Sequence, residues 1–137
     1  MTNFNGLSEF VTAMPERSLL IVVGTKGCGK TTWAHSLSNA KIVDEPDIYG
    51  EFNSHLFGVA VLVIDNVETS HARSSRRARF QAAITDLLRP VSEIRRKNQP
   101  NESVTNTRKV VILTSDPDGL DWLFVPRVDT SRIEVAA

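Results

Sequence analysis

Apolar residues in this chain fall into short continuous runs separated by stretches with helical spacing. Residues 19–23 and 59–64 are uninterrupted apolar runs, and 110–113 is a third. Runs of this length without alternation predict strands buried on both faces, as in a parallel sheet. Residues 41–43 predict a short further strand and 132–135 a last one. Phe4, Leu7, Phe10, Val11 and Met14 recur at helical spacing until Pro15, which predicts a short N-terminal helix. Residues 31–38 predict a second helix. Phe80, Ile84, Leu87, Leu88, Val91 and Ile94 predict a long amphipathic helix that Pro90 kinks or splits. Residues 97–107, with Pro100 and three asparagines, predict a loop or hairpin tip. Strands alternating with helices imply an α/β fold, a central mostly parallel sheet with helices on both faces.

The candidate chemistry lies between the first strand and the helix after it. Residues 24–31 read Gly-Thr-Lys-Gly-Cys-Gly-Lys-Thr, a full match to the phosphate-binding pattern G-x-x-x-x-G-K-[ST] in its required strand–loop–helix setting. Gly24, Gly27 and Gly29 let the backbone curl so that the N–H groups of the loop, Thr25, Lys26 and Cys28 included, face phosphate oxygens. Lys30 supplies a point charge for the β and γ phosphates, and the helix N-terminus adds a favourable field. Thr31 offers its hydroxyl to Mg²⁺, with Thr32 next to it in the binding loop. The expected ligands are ATP and Mg²⁺.

Two more strand ends carry polar groups. Val61-Leu62-Val63-Ile64-Asp65 closes on a carboxylate that a buried strand delivers to the carboxyl edge of the sheet, where it can hold Mg²⁺ through water. The following position, often the acid that orients attacking water, is Asn66, which cannot take a proton at neutral pH. Glu68 substitutes if the turn points it inward; otherwise both residues simply form the turn. Val110-Val111-Ile112-Leu113-Thr114-Ser115-Asp116 repeats the design, with Asp116 as candidate γ-phosphate sensor through water or Lys30.

Composition narrows the class. A 137-residue chain with 41% hydrophobic and 23% charged residues fits one globular domain: residues 1–17 as a helix available for oligomer contacts, and 18–137 as the core. No run is long enough to span a bilayer, and no signal-peptide pattern is visible. The single cysteine, Cys28, excludes an intramolecular disulfide and suits a reducing cytoplasm, or a host-cell interior if the chain is viral. His35, His55 and His71 show no metal-ligand spacing. Net charge is zero, yet residues 69–109 hold ten Lys/Arg against three acids, a local +7 balanced by −7 elsewhere. That asymmetry suggests an anionic polymer partner, set against a merely arginine-rich solvated surface.

Taken together, residues 24–34, 61–66 and 111–116, with Gly119-Leu-Asp-Trp-Leu123 and Ser131-Arg-Ile133, resemble the superfamily 3 helicase domain within the AAA+ ATPases. The likeness is greatest to the helicase part of replication initiator proteins of circular single-stranded DNA viruses, over roughly residues 18–135. The resemblance implies a P-loop ATPase working as a homo-oligomeric ring, usually hexameric, on single-stranded nucleic acid, DNA favoured over RNA. It implies a helicase, translocation or packaging activity with ATP held between neighbours. It implies an arginine reaching into the neighbour's site, Arg132 or Arg127. It also implies a nucleic-acid loop before the third strand, here Arg95, Arg96 and Lys97 through Arg108 and Lys109, without its own aromatic platform. Asn66 and Asp116 look like an exchange of amide and acid between two family positions. The basic stretch 70–79 is outside the family pattern. Two other readings stand beside this one: a P-loop nucleotide or nucleoside kinase using residues 44–47, and a non-hydrolysing ATP-dependent assembly switch suggested by Asn66.

Overall fold

A computed structural model describes residues 4–68 and 74–135. The elements in chain order are α1 (Leu7–Ala13), β1 (Leu19–Val23), α2 (Lys30–His35), β2 (Ala40–Asp44), 3₁₀ turns at Glu45–Ile48 and Ser54–Leu56, β3 (Val61–Asp65), α3 (Ser74–Leu87), β4 (Val91–Ile94), β5 (Glu102–Thr105), β6 (Lys109–Thr114) and β7 (Thr130–Glu134). Five strands form one parallel sheet in the order β2-β3-β6-β1-β7, and β4 and β5 pair as a separate antiparallel hairpin.

The lack of alternation in β1, β3 and β6 has a direct cause: both faces of the sheet are covered. Leu19, Ile21, Leu62, Ile64, Val110 and Ile112 face a layer built from α3 (Phe80, Ile84, Leu87) and the 120–125 segment. Leu20, Val22, Val61, Val63, Val111 and Leu113 face the opposite layer of α1 and α2 (Leu7, Val11, Trp33, Ala34). Each strand therefore sends alternate side chains into two cores, and truncating one, such as Ile21→Ala, costs about 2–5 kcal/mol. The N-terminal helix belongs to the second core: Phe4 stacks on Trp33 with ring centres 5.8 Å apart, and the Trp33 indole donates to Ser8 Oγ at 3.0 Å.

The long helix expected through residue 94 is corrected. It ends at Leu87, and Val91–Ile94 is a strand. The spacing of Val91 and Ile94 fits a helix, but Pro90 lacks the amide donor needed to continue one. Ser92 and Ile94 are buried while Val91 is exposed, a period of two. Asn106 completes the exit, its amide donating to the Arg89 carbonyl at 2.8 Å and to Ser92 Oγ at 2.7 Å, while its backbone N–H reaches the Pro90 carbonyl at 2.9 Å. The 97–107 segment accordingly holds the hairpin tip and β5. Helix α2 stops at His35, short of residue 38, and Asn39 adopts a left-handed φ of 55°. Residues 70–73 of the basic stretch lie outside the described residues. The remainder starts α3: Arg76 pairs with buried Glu45 at 3.4 Å, Arg79 covers the Tyr49 ring at 4.2 Å and Arg77 covers Trp122 at 5.6 Å.

Candidate functional site

All five parallel strands end on one edge of the sheet, so the loops after β1, β3 and β6 meet there. They enclose a cavity of about 470 Å³ lined by Lys26, Gly27, Lys30, Thr31, Asp65 and Asn66, with Glu68, Leu113 and Ser115 opposite.

The glycine-rich loop is fixed from below. The Gly24 N–H donates to the Thr114 carbonyl at 3.1 Å, tying the loop's start to β6. A Cβ on Gly24 would stand 2.7 Å from Cys28 Sγ and 2.8 Å from a Val135 methyl, so its smallness serves close approach. Gly29 has φ 104°, the left-handed turn that starts α2, where a side chain is strained. Lys30 Nζ folds back over the loop, donating to the Gly24 carbonyl at 2.5 Å and the Thr25 carbonyl at 3.0 Å. Thr25 and Thr32 are exposed, and Cys28 Sγ lies 3.7 Å from Lys30 Nζ.

Thr31 and Asp65, 34 residues apart, meet directly: Thr31 Oγ1 donates to Asp65 Oδ2 at 2.8 Å. Asp65 Oδ1 accepts the Asn66 N–H at 2.8 Å, which orients the carboxylate. Two adjacent oxygen donors fit a hard cation that keeps most of its water, and no cluster of three or more His, Cys, Asp or Glu exists among the described residues to suggest another kind of metal.

The turn after β3 sorts the two remaining candidates. Asn66 takes a left-handed φ of 56° and turns its amide to Asp44 at the end of β2, 3.3 Å away. Glu68 bridges the cavity mouth, accepting from Ser115 Oγ at 2.6 Å and pairing with Lys26 Nζ at 3.2 Å. The Ser115 hydroxyl and then the Lys26 ammonium hold its carboxyl below the usual carboxylate range. Ser115 was missed in the sequence reading. Its signal was its place as the first polar residue past β6, one before the candidate chosen.

The other candidates lie elsewhere. Asp116 is 4% exposed, and its carboxylate accepts the N–H groups of Asp118 and Leu120, both at 3.1 Å. It caps the turn after β6 and is absent from the cavity lining that includes Asn66. Arg132 donates to the carbonyls of Gly119, Leu120 and Leu123 at 2.8–3.2 Å and clamps that segment to β7. Arg127 is exposed in the loop before β7, at the opposite edge of the sheet, with a left-handed φ of 62°.

The basic candidates also divide. Arg95, Arg96 and Lys97 stand at the hairpin tip; Arg96 pairs with Glu102 at 2.9 Å and Lys97 is exposed. Lys109 instead donates to the carbonyls of Val11 and Thr12, both at 2.8 Å, closing the end of α1. Arg108 is buried, its guanidinium 4.5 Å from the centre of the Phe57 ring, and burial lowers its pKa to about 10.

A parallel α/β sheet with helices on both faces and a polar cavity at its carboxyl edge defines the class. Within it, residues 22–125 match the model of a family of unknown function, DUF5906, and the chain belongs to that family. Three solved structures of the C-terminal region of NrS-1 share the fold. One superposes with a TM-score of 0.69 at 16% identity over 96% of this chain and 33% of that one. The others give 0.61 at 19% identity over 96% and 32%, and 0.58 at 18% over 97% and 33%. The chain thus spans about a third of the length of those structures. No curated protein matches it in sequence. No helix among the described residues is long and apolar enough to cross a membrane.

Proposed function

We propose that this domain binds and hydrolyses a nucleoside triphosphate at the carboxyl-edge cavity, as a superfamily 3-like ATPase that acts on single-stranded nucleic acid. The observation that carries the reading is the contact of Thr31 with Asp65 beside Lys30: the parts of two separate sequence motifs converge on one cavity. The glycine-rich loop receives the phosphates and Lys30 exchanges its carbonyl partners for phosphate oxygens. Thr31 and Asp65 would hold Mg²⁺, which supplies charge neutralisation on the phosphates when bound. In this reading Glu68, at the cavity mouth, orients the attacking water, a role that Asn66, an amide turned to Asp44, does not fill.

The nucleic-acid part of the reading rests on the hairpin. Asn53 fixes strand β4 to the 51–53 segment: its N–H reaches the Arg95 carbonyl at 3.1 Å and its side-chain oxygen accepts the Arg95 N–H at 2.7 Å. Arg95 Nε in turn reaches the Glu51 carbonyl at 2.8 Å. Phe52, 42% exposed, is thereby held next to Arg95 and supplies the stacking surface that the hairpin loop lacks. Ring assembly and a role in DNA replication belong to the same proposal, and the shared fold with the NrS-1 C-terminal region sets no substrate for it.

The test is steady-state ATP hydrolysis with and without single-stranded DNA, with Lys30→Ala as the blank. Stimulation by DNA that vanishes in the variant is the expected result. ATP binding with no Lys30-dependent hydrolysis in either condition would reject the motor and favour an ATP-dependent assembly switch.

A further inference from the structure

Three arginines line one cavity of about 330 Å³. Arg17 precedes β1, Arg127 precedes β7 and Arg89 follows α3, so the cavity lies at the edge of the sheet opposite the phosphate loop. No acid among the described residues lines it. Of the acids close by in sequence, Glu16 is exposed, Asp129 lines a separate cavity beside α1, and Asp86 faces Arg89 at 3.8 Å in an exposed pair that contributes little. Arg17 reaches the Leu88 carbonyl at 3.5 Å, and the Arg127 side chain pairs with no described residue.

The backbone marks the same two residues. Arg17 and Arg127 hold left-handed conformations, with φ of 57° and 62°. Asn39, Asn66 and Asn98 share that region, which asparagine tolerates. Among the other described non-glycine residues it recurs at Leu120, whose side chain is buried in the core. Arg127 is exposed and Arg17 half-buried, so packing does not account for them in the same way. Glycine or asparagine would suit both turns better, and what arginine adds there is a guanidinium.

Several guanidinium groups around one concavity match phosphate oxygens, which accept from them in pairs. Pro90, Val125 and Pro126 add apolar wall beside the charges, a surface for the sugar of a nucleotide unit. The cavity also stands at the foot of the hairpin: β4 begins directly after Pro90, and the tip with Arg95, Arg96 and Lys97 lies one short strand away, about 13 Å. The chain's own phosphate loop is at the far end of β1, about 16 Å off.

We propose that Arg17, Arg89 and Arg127 bind phosphate groups of single-stranded nucleic acid, as a second contact at the foot of the hairpin. The proposal rests on the nucleic-acid reading above and adds where the strand runs once it has passed the hairpin tip.

The experiment is fluorescence anisotropy of labelled oligo-dT titrated with the full chain across a range of salt. The proteins are the wild type, Lys97→Ala and the double variant Arg89→Ala/Arg127→Gly. Both positions of the double variant are exposed, and glycine relieves the backbone at 127, so its melting temperature should hold or rise. The expected result is binding about tenfold weaker in the double variant, with a salt slope reduced by about one to two. If that variant does not fold, Arg127→Asn, which the turn tolerates, carries the test with about half the change in slope. Binding that Lys97→Ala weakens and the double variant leaves unchanged overturns the proposal and keeps the nucleic-acid reading. No binding by the wild type rejects both. Displacement of oligo-dT by inorganic phosphate at matched ionic strength, in the wild type and not in the double variant, makes the cavity a site for free phosphate instead. Normal oligo-dT binding with loss of ATP turnover at high protein concentration assigns the arginines to the nucleotide of a second copy, and also overturns the proposal.

Discussion

The glycine-rich loop and the basic middle segment were both conspicuous in sequence, and they fold to opposite ends of predictability. Residues 24–31 form one loop, and Lys26, Gly27, Lys30 and Thr31 of it line a single cavity. The described bases of 69–109 scatter. Arg76, Arg77 and Arg79 dock α3 on Glu45, Trp122 and Tyr49; Arg108 is buried; Lys109 closes α1; Arg96 pairs with Glu102. A motif specifies backbone conformation and so keeps its residues together. A charge run specifies none, and each long cationic side chain finds its own apolar stem contact or carbonyl. Local net charge along the chain is therefore a poor measure of charge on one surface.

The largest effects expected are those that break the motif side. Lys30→Ala and Glu68→Gln should each lower ATP turnover by about 10²–10⁴-fold, Glu68→Gln with binding retained, whereas Asn66→Ala should cost far less. Equal losses for Asn66→Ala and Glu68→Gln in a steady-state assay would remove Glu68 from its assigned role. Next is Gly24→Ala, which forces a methyl into Cys28 and Val135. It should destabilise the fold by about 1–3 kcal/mol in chemical denaturation.

Two smaller effects sharpen the comparison on the basic side. Lys97→Ala should weaken single-stranded DNA binding and reduce the salt slope by about one. Lys109→Ala should leave that slope unchanged and cost about 1 kcal/mol of stability through α1. If Lys109→Ala reduces the slope as much as Lys97→Ala, its contact with Val11 and Thr12 is not its resting state. The smallest effect is the pH response of the Glu68 bridge. Its folded pKa lies below the ordinary 4.5, so its stabilisation is complete above that value and is lost as pH falls through the lowered one. Glu68 is exposed, so solvent screening keeps the difference between wild type and Glu68→Gln to a small convergence of melting temperatures in acid.

The sheet was legible because buried parallel strands leave unbroken apolar runs, and 19–23, 59–64 and 110–113 each became a central strand. The hairpin was not, because Val91 and Ile94 continue the helical spacing of Phe80, Ile84 and Leu87. Pro90 stops the helix, and the buried Ser92–Asn106 contact, between residues 14 apart, fixes the strand that follows it. The cavity floor was legible for the same reason as the sheet. Its rim was not: whether Asn66 or Glu68 points inward depends on one left-handed residue, and whether Ser115 or Asp116 does depends on which of them caps the turn. A sequence shows that polar residues follow a strand without showing which of them the turn spends on its own backbone.

The measurement that tests the central claim most directly is a calorimetric titration of Mg·ATP into the wild-type chain, Lys30→Ala and Asp65→Asn. A cavity built jointly by the loop and the end of β3 predicts saturable one-site binding in the wild type. It predicts a strong loss in Lys30→Ala, and in Asp65→Asn a loss of the Mg²⁺ dependence. No binding in the wild type, or equal binding in all three proteins, would contradict it.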